Sequence, residues 1–273
     1  MQSKRLLRYL KKQVPSTIIY FTGSWKKQTN RRQGKHRAEN ETMLCVVLRA
    51  NNYRETDKML TLFSKEKGRI DALCRGCRKQ GSSLLASSDV FCCALFGMNH
   101  QKGKYYITQA VSKDNFFHLR KNIHALLTGT LFLEVCEKTV MPEQENARLF
   151  ALLVNCLYAM DHGENPQKVL CFFVFKLLDI LGLRPSLSHC SICGSEKVCK
   201  VNIGAGGMVC ADCPGEEIPR EFILGIDRIL KTPSKAVAQV ELPEQKEFYS
   251  LAIRWLTNAL EITPKSLMLL KDF

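Results

Sequence analysis

Four cysteines in the last third of the chain have the spacing of metal ligands. They form two Cys-x-x-Cys pairs separated by 16 residues: Cys190, Cys193, Cys210 and Cys213. Each pair curls so that both thiolates face one point, and two pairs complete a tetrahedron around zinc. Because four thiolates leave no position for water, we predict one structural zinc ion. Buried thiols without metal are the alternative interpretation, and Cys199 and His189 are alternative ligands.

The remaining motifs do not predict catalysis. Cys74-Arg-Gly-Cys77 has no second cysteine pair at a suitable distance. Gly204-Ala-Gly-Gly207 lies between the two cysteine pairs, where it is interpreted as a hairpin turn rather than a dinucleotide-binding loop. The sequence contains no Walker A motif, no Gly-x-Ser-x-Gly and no His-Glu-x-x-His. We therefore predict that the chain is not an enzyme.

Basic residues cluster between positions 58 and 104, close to tyrosines that can stack on bases: Tyr53, Tyr105 and Tyr106. A basic groove that follows phosphates, combined with aromatic side chains, is how oligonucleotide-binding (OB) folds hold single strands. A solvated basic surface is the alternative interpretation. The predicted DNA-binding residues are Lys58, Lys67, Arg69, Arg75, Arg78 and Lys79.

The net charge of +14 favours a polyanionic partner such as nucleic acid. Residues 1–42 contain eleven Lys or Arg and two Glu, so most of the excess lies there. We interpret 1–42 as a basic, disordered extension that precedes an optional or misassigned start at Met43. A nucleic-acid-binding arm and an organelle transit peptide are the alternatives. Thirteen cysteines without a visible secretory signal favour a reducing cytosol, and no apolar run is long enough to span a membrane.

The elements that position these residues change character near residue 115. Before it, alternating apolar residues and turn signals predict five strands at 44–49, 59–64, 69–74, 90–96 and 104–111, with turns that include 97–103. Five short strands in about 70 residues suit a small closed barrel. After it, apolar spacing predicts helices at 116–140, 146–160, 166–181, 220–230 and 243–260.

The third of these helices is almost wholly apolar, which is typical of the centre of a helical bundle. Asn165 and Pro166 mark its start and Gly182 its end. The predicted fold class is α+β. It consists of an N-terminal five-stranded OB-type β-barrel (43–115) and a mostly α-helical domain (116–273), with a four-cysteine zinc ribbon inserted at 186–217.

From about residue 44 onward the sequence resembles the bacterial RecO family of recombination mediators. Residues 48–63 resemble the opening strand pair of that family, and Lys67-Gly-Arg-Ile70 followed by Arg75-Gly-Cys-Arg78 resembles its glycine and basic turn. Gly182-Leu-Arg-Pro185 and Lys265-Ser266 are further matches in the same order and spacing. The sequence departs from the family at residues 1–42, at Cys77, Cys92 and Cys93, and at the less basic Gln80-Gly81.

The resemblance implies a non-enzymatic role in DNA recombination and repair. The implied partners are single- and double-stranded DNA, RecR, the acidic C-terminal tail of single-strand-binding protein and, indirectly, RecA. The implied activities are annealing of complementary strands and help in loading RecA, in the cytoplasm and associated with the nucleoid. A zinc-ribbon nucleic-acid-binding factor of transcription or translation is the alternative, and a protein-interaction scaffold is another.

Overall fold

The computed structural model describes residues 39–260 and 264–270. Nearly all of the basic extension predicted at 1–42 therefore lies outside the described residues. Only its last four residues are included, and they belong to the first strand, which begins at Glu39. The first strand begins before the predicted boundary at residue 43 because residues 39–46 pair antiparallel with residues 93–100 of the fourth strand.

Five strands form a closed barrel in the order β1-β2-β3-β5-β4, which confirms the predicted barrel. They are β1 (Glu39–Tyr53), β2 (Asp57–Ser64), β3 (Gly68–Cys74), β4 (Cys93–Gln101) and β5 (Lys104–Asp114). β3 and β5 pair in parallel, whereas the other neighbours are antiparallel. Alternate residues such as Leu60, Leu62 and Ile70 point inward and fill the barrel, as the period of two requires.

The structure corrects the predicted position of the fourth strand. It begins at Cys93 rather than at residue 90 and continues through Gly97 to Gln101. Gly97 lies inside the strand, at a register shift opposite Gln109, so it marks a bulge and not a turn. The reversal is made instead by Lys102 and Gly103, whose φ angles of 49° and 73° are those of a tight two-residue hairpin.

Three helices follow the barrel: α1 (Ile123–Thr139), α2 (Ala147–Asp161) and α3 (Pro166–Ile180). Each begins after an asparagine whose side chain accepts backbone N–H groups of the first turn: Asn122, Asn146 and Asn165. The prediction that the first helix starts at 116 is wrong. Residues 116–122 are irregular because Phe116 has a φ of 45°, and the segment contains a short 3₁₀ turn, Leu119–Lys121.

The apolar helix α3 lies at the centre of the helical domain, as its composition predicts. It packs against α1, α2, α4 (Arg220–Lys231) and α5 (Lys246–Leu260). The ring of Phe173 stacks on Phe132 of α1 with centroids 4.0 Å apart, and Phe175 packs against aromatic rings of α5. A short helix, α6 (Lys265–Leu270), packs on α1. None of the helices in the described ranges is long and apolar enough to cross a membrane.

The cysteine-rich insert lies between α3 and α4. It forms a small sheet in the order β7-β6-β8, from β6 (Lys200–Asn202), β7 (Gly207–Val209) and β8 (Glu216–Glu217). The glycine-rich stretch 203–206 is the turn between β6 and β7, and Gly206 has a φ of 78°. This turn agrees with the hairpin interpretation of Gly204-Ala-Gly-Gly207.

Candidate nucleic-acid interface and metal centre

The six predicted DNA-binding residues fall into two groups of three. Lys58, Lys67 and Arg69 are partly buried and are engaged by other parts of the protein. The Lys58 Nζ atom lies 2.7 Å from Asp89 Oδ1 and donates to the carbonyl oxygen of Ser88 at 3.2 Å. Its side chain is only 13% exposed, so this lysine ties β2 to the segment before β4.

Lys67 is held in a polar cluster at the other end of β2. Its Nζ atom lies 2.7 Å from Glu41 and donates to the hydroxyl of Tyr105, which in turn donates to Glu143. Desolvation acts against the charge, but the hydrogen bonds to Glu41 and Tyr105 raise the pKa of Lys67 to about 12. Because Glu143 lies between α1 and α2, the cluster joins the barrel to the helical domain.

Arg69 also connects the barrel to the helical domain. Its guanidinium donates to the carbonyl oxygen of Glu137 in the last turn of α1 at 3.1 Å, where the helix dipole favours a cation. The preceding Gly68 has a φ of 64°, and a side chain there would collide with the carbonyl oxygens of Met141 and Gln144. The close approach of β3 to the helical domain thus requires glycine at this position.

The other three predicted residues, Arg75, Arg78 and Lys79, are exposed in the connection that follows β3. The guanidinium of Arg75 lies 4.7 Å from the centroid of the Tyr106 ring. Arg78 donates to the carbonyl oxygen of Glu55 at 3.0 Å and so braces the turn between β1 and β2.

That turn contains Arg54, a residue that the sequence interpretation missed. It is exposed, has a φ of 54°, and places its guanidinium 5.3 Å from the ring of the neighbouring Tyr53. Its position beside a tyrosine was the available signal. We refer to Arg54, Arg75, Arg78 and Lys79 together as the basic loop.

A nearby acid is used to brace the basic loop. The backbone N–H of Gly76 donates to Asp57 Oδ1 at 2.7 Å, and this hydrogen bond lowers the pKa of Asp57, with smaller contributions from Arg54 and Arg75. The carboxylate therefore fixes the turn between Arg75 and Arg78. Exposed guanidinium groups beside tyrosine rings offer both phosphate contacts and stacking faces, which is the chemistry needed for single strands.

The four predicted metal ligands come together in the cysteine-rich insert. The Sγ atoms of Cys190, Cys193, Cys210 and Cys213 all lie within 4.8 Å of one another. Those of Cys193 and Cys210 are 3.6 Å apart. Sulfurs at about 2.3 Å from a zinc ion would be about 3.8 Å from each other, so the four positions fit a tetrahedral metal site.

The protonation of the cluster also suits a metal. Desolvation opposes ionisation, but hydrogen bonds from the backbone N–H groups of Cys193, Cys210 and Ile192 lower the pKa of Cys190 to about 6. Hydrogen bonding to Cys210, together with desolvation, raises the pKa of Cys213 to about 12. One thiolate is thus already favoured, and a metal ion that binds all four sulfurs displaces the remaining protons.

The two alternative ligands are not part of the cluster that the described residues form. Cys199 is exposed, and the Nδ1 atom of His189 lies 2.8 Å from the hydroxyl of Ser188. Cys92 and Cys93 are buried in the barrel, and desolvation raises their pKa values to about 11 and about 12. These thiols are inert core residues.

The closed barrel, the helices that follow it and the four-cysteine insert define a class of OB-fold protein with a cysteine cluster that could hold a metal ion. Sequence comparison then identifies the family. The family model described as Recombination protein O N terminal matches residues 40–116, and the one described as Recombination protein O C terminal matches residues 120–268. The chain belongs to the RecO family.

Individual relatives cover most of the same region. A protein of Caldicellulosiruptor saccharolyticus is 29% identical over 202 residues, which cover 72% of this chain and 83% of the relative. One of Alkaliphilus metalliredigens is 34% identical over 172 residues, covering 62% and 70%, respectively. One of Listeria monocytogenes is 28% identical over 222 residues, covering 76% and 84%. All three relatives are named DNA repair protein RecO.

Proposed function

We propose that this protein is a DNA-binding recombination mediator in DNA repair, which binds single- and double-stranded DNA and anneals complementary strands. Membership of the RecO family and the names of the relatives support the repair role. The observation that carries the proposal is the basic loop, in which exposed Arg75 lies on the ring of Tyr106 at one end of a closed barrel.

The basic loop acts by charge neutralisation and stacking. Its cations contact phosphates, so they reduce the repulsion between two strands that are brought together. Tyr53 and Tyr106 offer aromatic faces to the bases, and such stacking tolerates any sequence. This mechanism breaks no covalent bond, in agreement with a role as a mediator and not as an enzyme.

The proposed partners follow from the family. They are RecR, the acidic C-terminal tail of single-strand-binding protein and, indirectly, RecA, which the protein helps to load onto coated single strands in the cytoplasm. Two basic residues in and after α3, Lys176 and Arg184, are poorly placed to bind the acidic tail. Lys176 is buried and donates to the carbonyl oxygen of Leu230, and Arg184 pairs with Asp179.

We further propose that the metal ion is zinc and that its role is structural. The support is the all-thiolate donor set, which suits zinc and leaves no position for substrate or water. When bound, the ion links the two cysteine pairs of the insert, and the hairpin of β6 and β7 keeps those pairs in place.

The test of DNA binding is a charge reversal of Arg75 and Arg78 to Glu. We expect single-strand affinity and annealing rate to fall at least tenfold, since each lost charge also becomes a repulsive one. The matched control reverses two exposed lysines of the helical domain, Lys235 and Lys246, and changes the net charge by the same amount. Arg75→Glu alone leaves the brace from Arg78 intact and separates DNA contact from loop stability.

Unchanged annealing in the Arg75/Arg78 variant, or an equal loss in the Lys235/Lys246 control, would remove the basic loop from the mechanism.

Competition with a structured RNA tests the other class of function. A strict preference for folded RNA over single-stranded DNA would favour the zinc-ribbon factor of transcription or translation.

A further inference from the structure

A second basic and aromatic surface lies where the chain leaves the barrel for the helical domain. Phe117 is 62% exposed there, although the adjacent Phe116 is 1% exposed. The surface also includes three exposed residues: Lys113, which is close to the end of β5, His118 and Lys121. We refer to Lys113, Phe117, His118 and Lys121 as the linker patch.

The backbone is built to hold Phe117 outward. Phe116 adopts a φ of 45°, a conformation that costs a residue other than glycine about 1–3 kcal/mol. Two carboxylates stabilise it: Asp114 Oδ1 accepts the N–H of Phe116 at 2.8 Å, and Asp161 Oδ1 accepts the N–H of Leu119 at 2.7 Å. The strained turn buries one phenyl ring and exposes the next.

Cationic and aromatic groups surround the exposed ring. The Nζ atom of Lys121 lies 4.8 Å from the centroid of Phe117, and the ring of His118 packs edge-on at 5.9 Å. The nearby Arg120 is used within the protein, because its guanidinium donates to the carbonyl oxygen of Val90 at 2.7 Å. Asp114 and Asp161 keep their negative charges but are turned toward backbone N–H groups, whereas Lys113 and Lys121 are exposed, so the patch offers a phenyl face beside two cations.

We infer that the linker patch is a second contact for single-stranded DNA, at which Phe117 stacks on a nucleobase and Lys113 and Lys121 contact the flanking phosphates. This inference rests on the proposed function and deepens it. A flat ring beside cations matches a base joined to phosphates. Cys74, the last residue of β3, pairs with Ile107 near the beginning of β5, so Arg75 lies near the start of β5 and the linker patch lies at its far end. The protein therefore presents two stacking contacts to DNA.

The test uses the full-length chain with Phe117→Trp as a reporter and Phe117→Ala as the loss variant. We expect an oligothymidine of about 16 nucleotides to quench the added tryptophan fluorescence, measured as the difference from wild type. An abasic oligonucleotide of equal length has the same phosphates without bases, and it should quench much less. Phe117→Ala should weaken single-strand binding at least about fivefold.

The matched control is Met268→Ala, which removes an apolar side chain of similar exposure from α6. It should bind like wild type, and thermal unfolding should show that all three variants are folded. Equal quenching by the abasic strand, wild-type affinity of Phe117→Ala, or a response of Phe117→Trp to polyglutamate but not to oligothymidine overturns the inference. The last outcome would identify an acidic protein as the occupant.

Different results would refute DNA binding by the protein and DNA contact by the linker patch. A wild-type chain that binds no single-stranded DNA refutes the proposed function. A wild-type chain that binds DNA through Arg75 and Arg78, with no effect of Phe117, refutes only the linker patch.

Discussion

Basic residues of the barrel have different roles in this protein, and contacts with residues distant in the sequence determine which role each one has. Lys58 and Arg75 both lie in the basic segment of the barrel, yet Lys58 pairs with Asp89, 31 residues away, and Arg75 remains exposed on a tyrosine ring. Arg69 contacts the carbonyl of Glu137 at a separation of 68 residues. Charge and spacing predict a basic barrel, but they do not reveal which cations the helical domain covers.

The four cysteines are the opposite case. Each Cys-x-x-Cys pair is local, so its geometry follows from a tight turn, and a short hairpin brings the two pairs together. Their assembly was therefore predictable from spacing alone. Phe117 was not, because a run of two phenylalanines does not indicate which ring is buried.

At the residue scale we predict that Lys67→Met lowers stability, whereas Lys79→Met weakens DNA binding. Lys67 is hydrogen-bonded between the barrel and the helical domain, so its loss should lower the free energy of unfolding by about 1–2 kcal/mol. Its effect on DNA affinity should be small. Lys79 is exposed on the basic loop, and its loss should weaken DNA binding and leave stability unchanged. Denaturant unfolding and DNA titration of both variants measure the two quantities.

Each variant serves as the control for the other, since both replace lysine by the same apolar residue. Lys67 would not be a residue that holds the barrel against the helical domain if Lys67→Met kept wild-type stability and lost DNA affinity to the same extent as Lys79→Met.

At the scale of elements, local signals predicted the helices better than the connections between them. Asn146 and Asn165 accept backbone N–H groups at the helix starts, so their positions could be read from the sequence. The segment 116–122 could not, because its apolar residues continue the helical spacing while Asp114 and Asp161 hold its backbone in a turn. Tertiary contacts override periodicity there.

The cysteine-rich insert gives the prediction at this scale. Cys190→Ser removes one of four clustered cysteines. We expect the purified wild type to contain one zinc ion per chain and the purified variant to contain none. Its free energy of unfolding should fall by several kcal/mol, because metal binding contributes to folding. Metal analysis and thermal unfolding provide the measurements.

Cys199→Ser is the matched control, since Cys199 is an exposed cysteine of the same insert outside the cluster. It should keep its metal and its stability. Gentle purification that yields wild-type protein without zinc would contradict the metal assignment, and loss of metal in Cys199→Ser would make Cys199 a ligand.

At the scale of the whole molecule, charge is divided unequally along the chain. Residues 1–37 contain eleven Lys or Arg and no acid, whereas residues 38–273 contain 29 Lys or Arg against 26 Asp or Glu. The second segment is one compact unit that contains the barrel and the helical domain. The basic loop and the linker patch therefore lie on a nearly neutral part of the chain, so the DNA binding proposed for it depends on local clusters of charge and not on net charge.

A chain of residues 38–273 tests this division. The start at 38 keeps the pairing of residues 39–42 with residues 97–100 of β4 and the contact of Glu41 with Lys67, both of which a start at Met43 would remove. We expect this chain to bind single-stranded DNA with a log–log salt slope of about −4, because the four cations of the basic loop and the two lysines of the linker patch contribute about −0.7 each. The full chain should show a steeper slope if its first 37 residues also contact DNA. Two outcomes would place recognition outside the barrel and favour a protein-interaction scaffold. One is loss of DNA binding in the folded 38–273 chain, and the other is a DNA affinity that stays constant between about 50 and 200 mM salt.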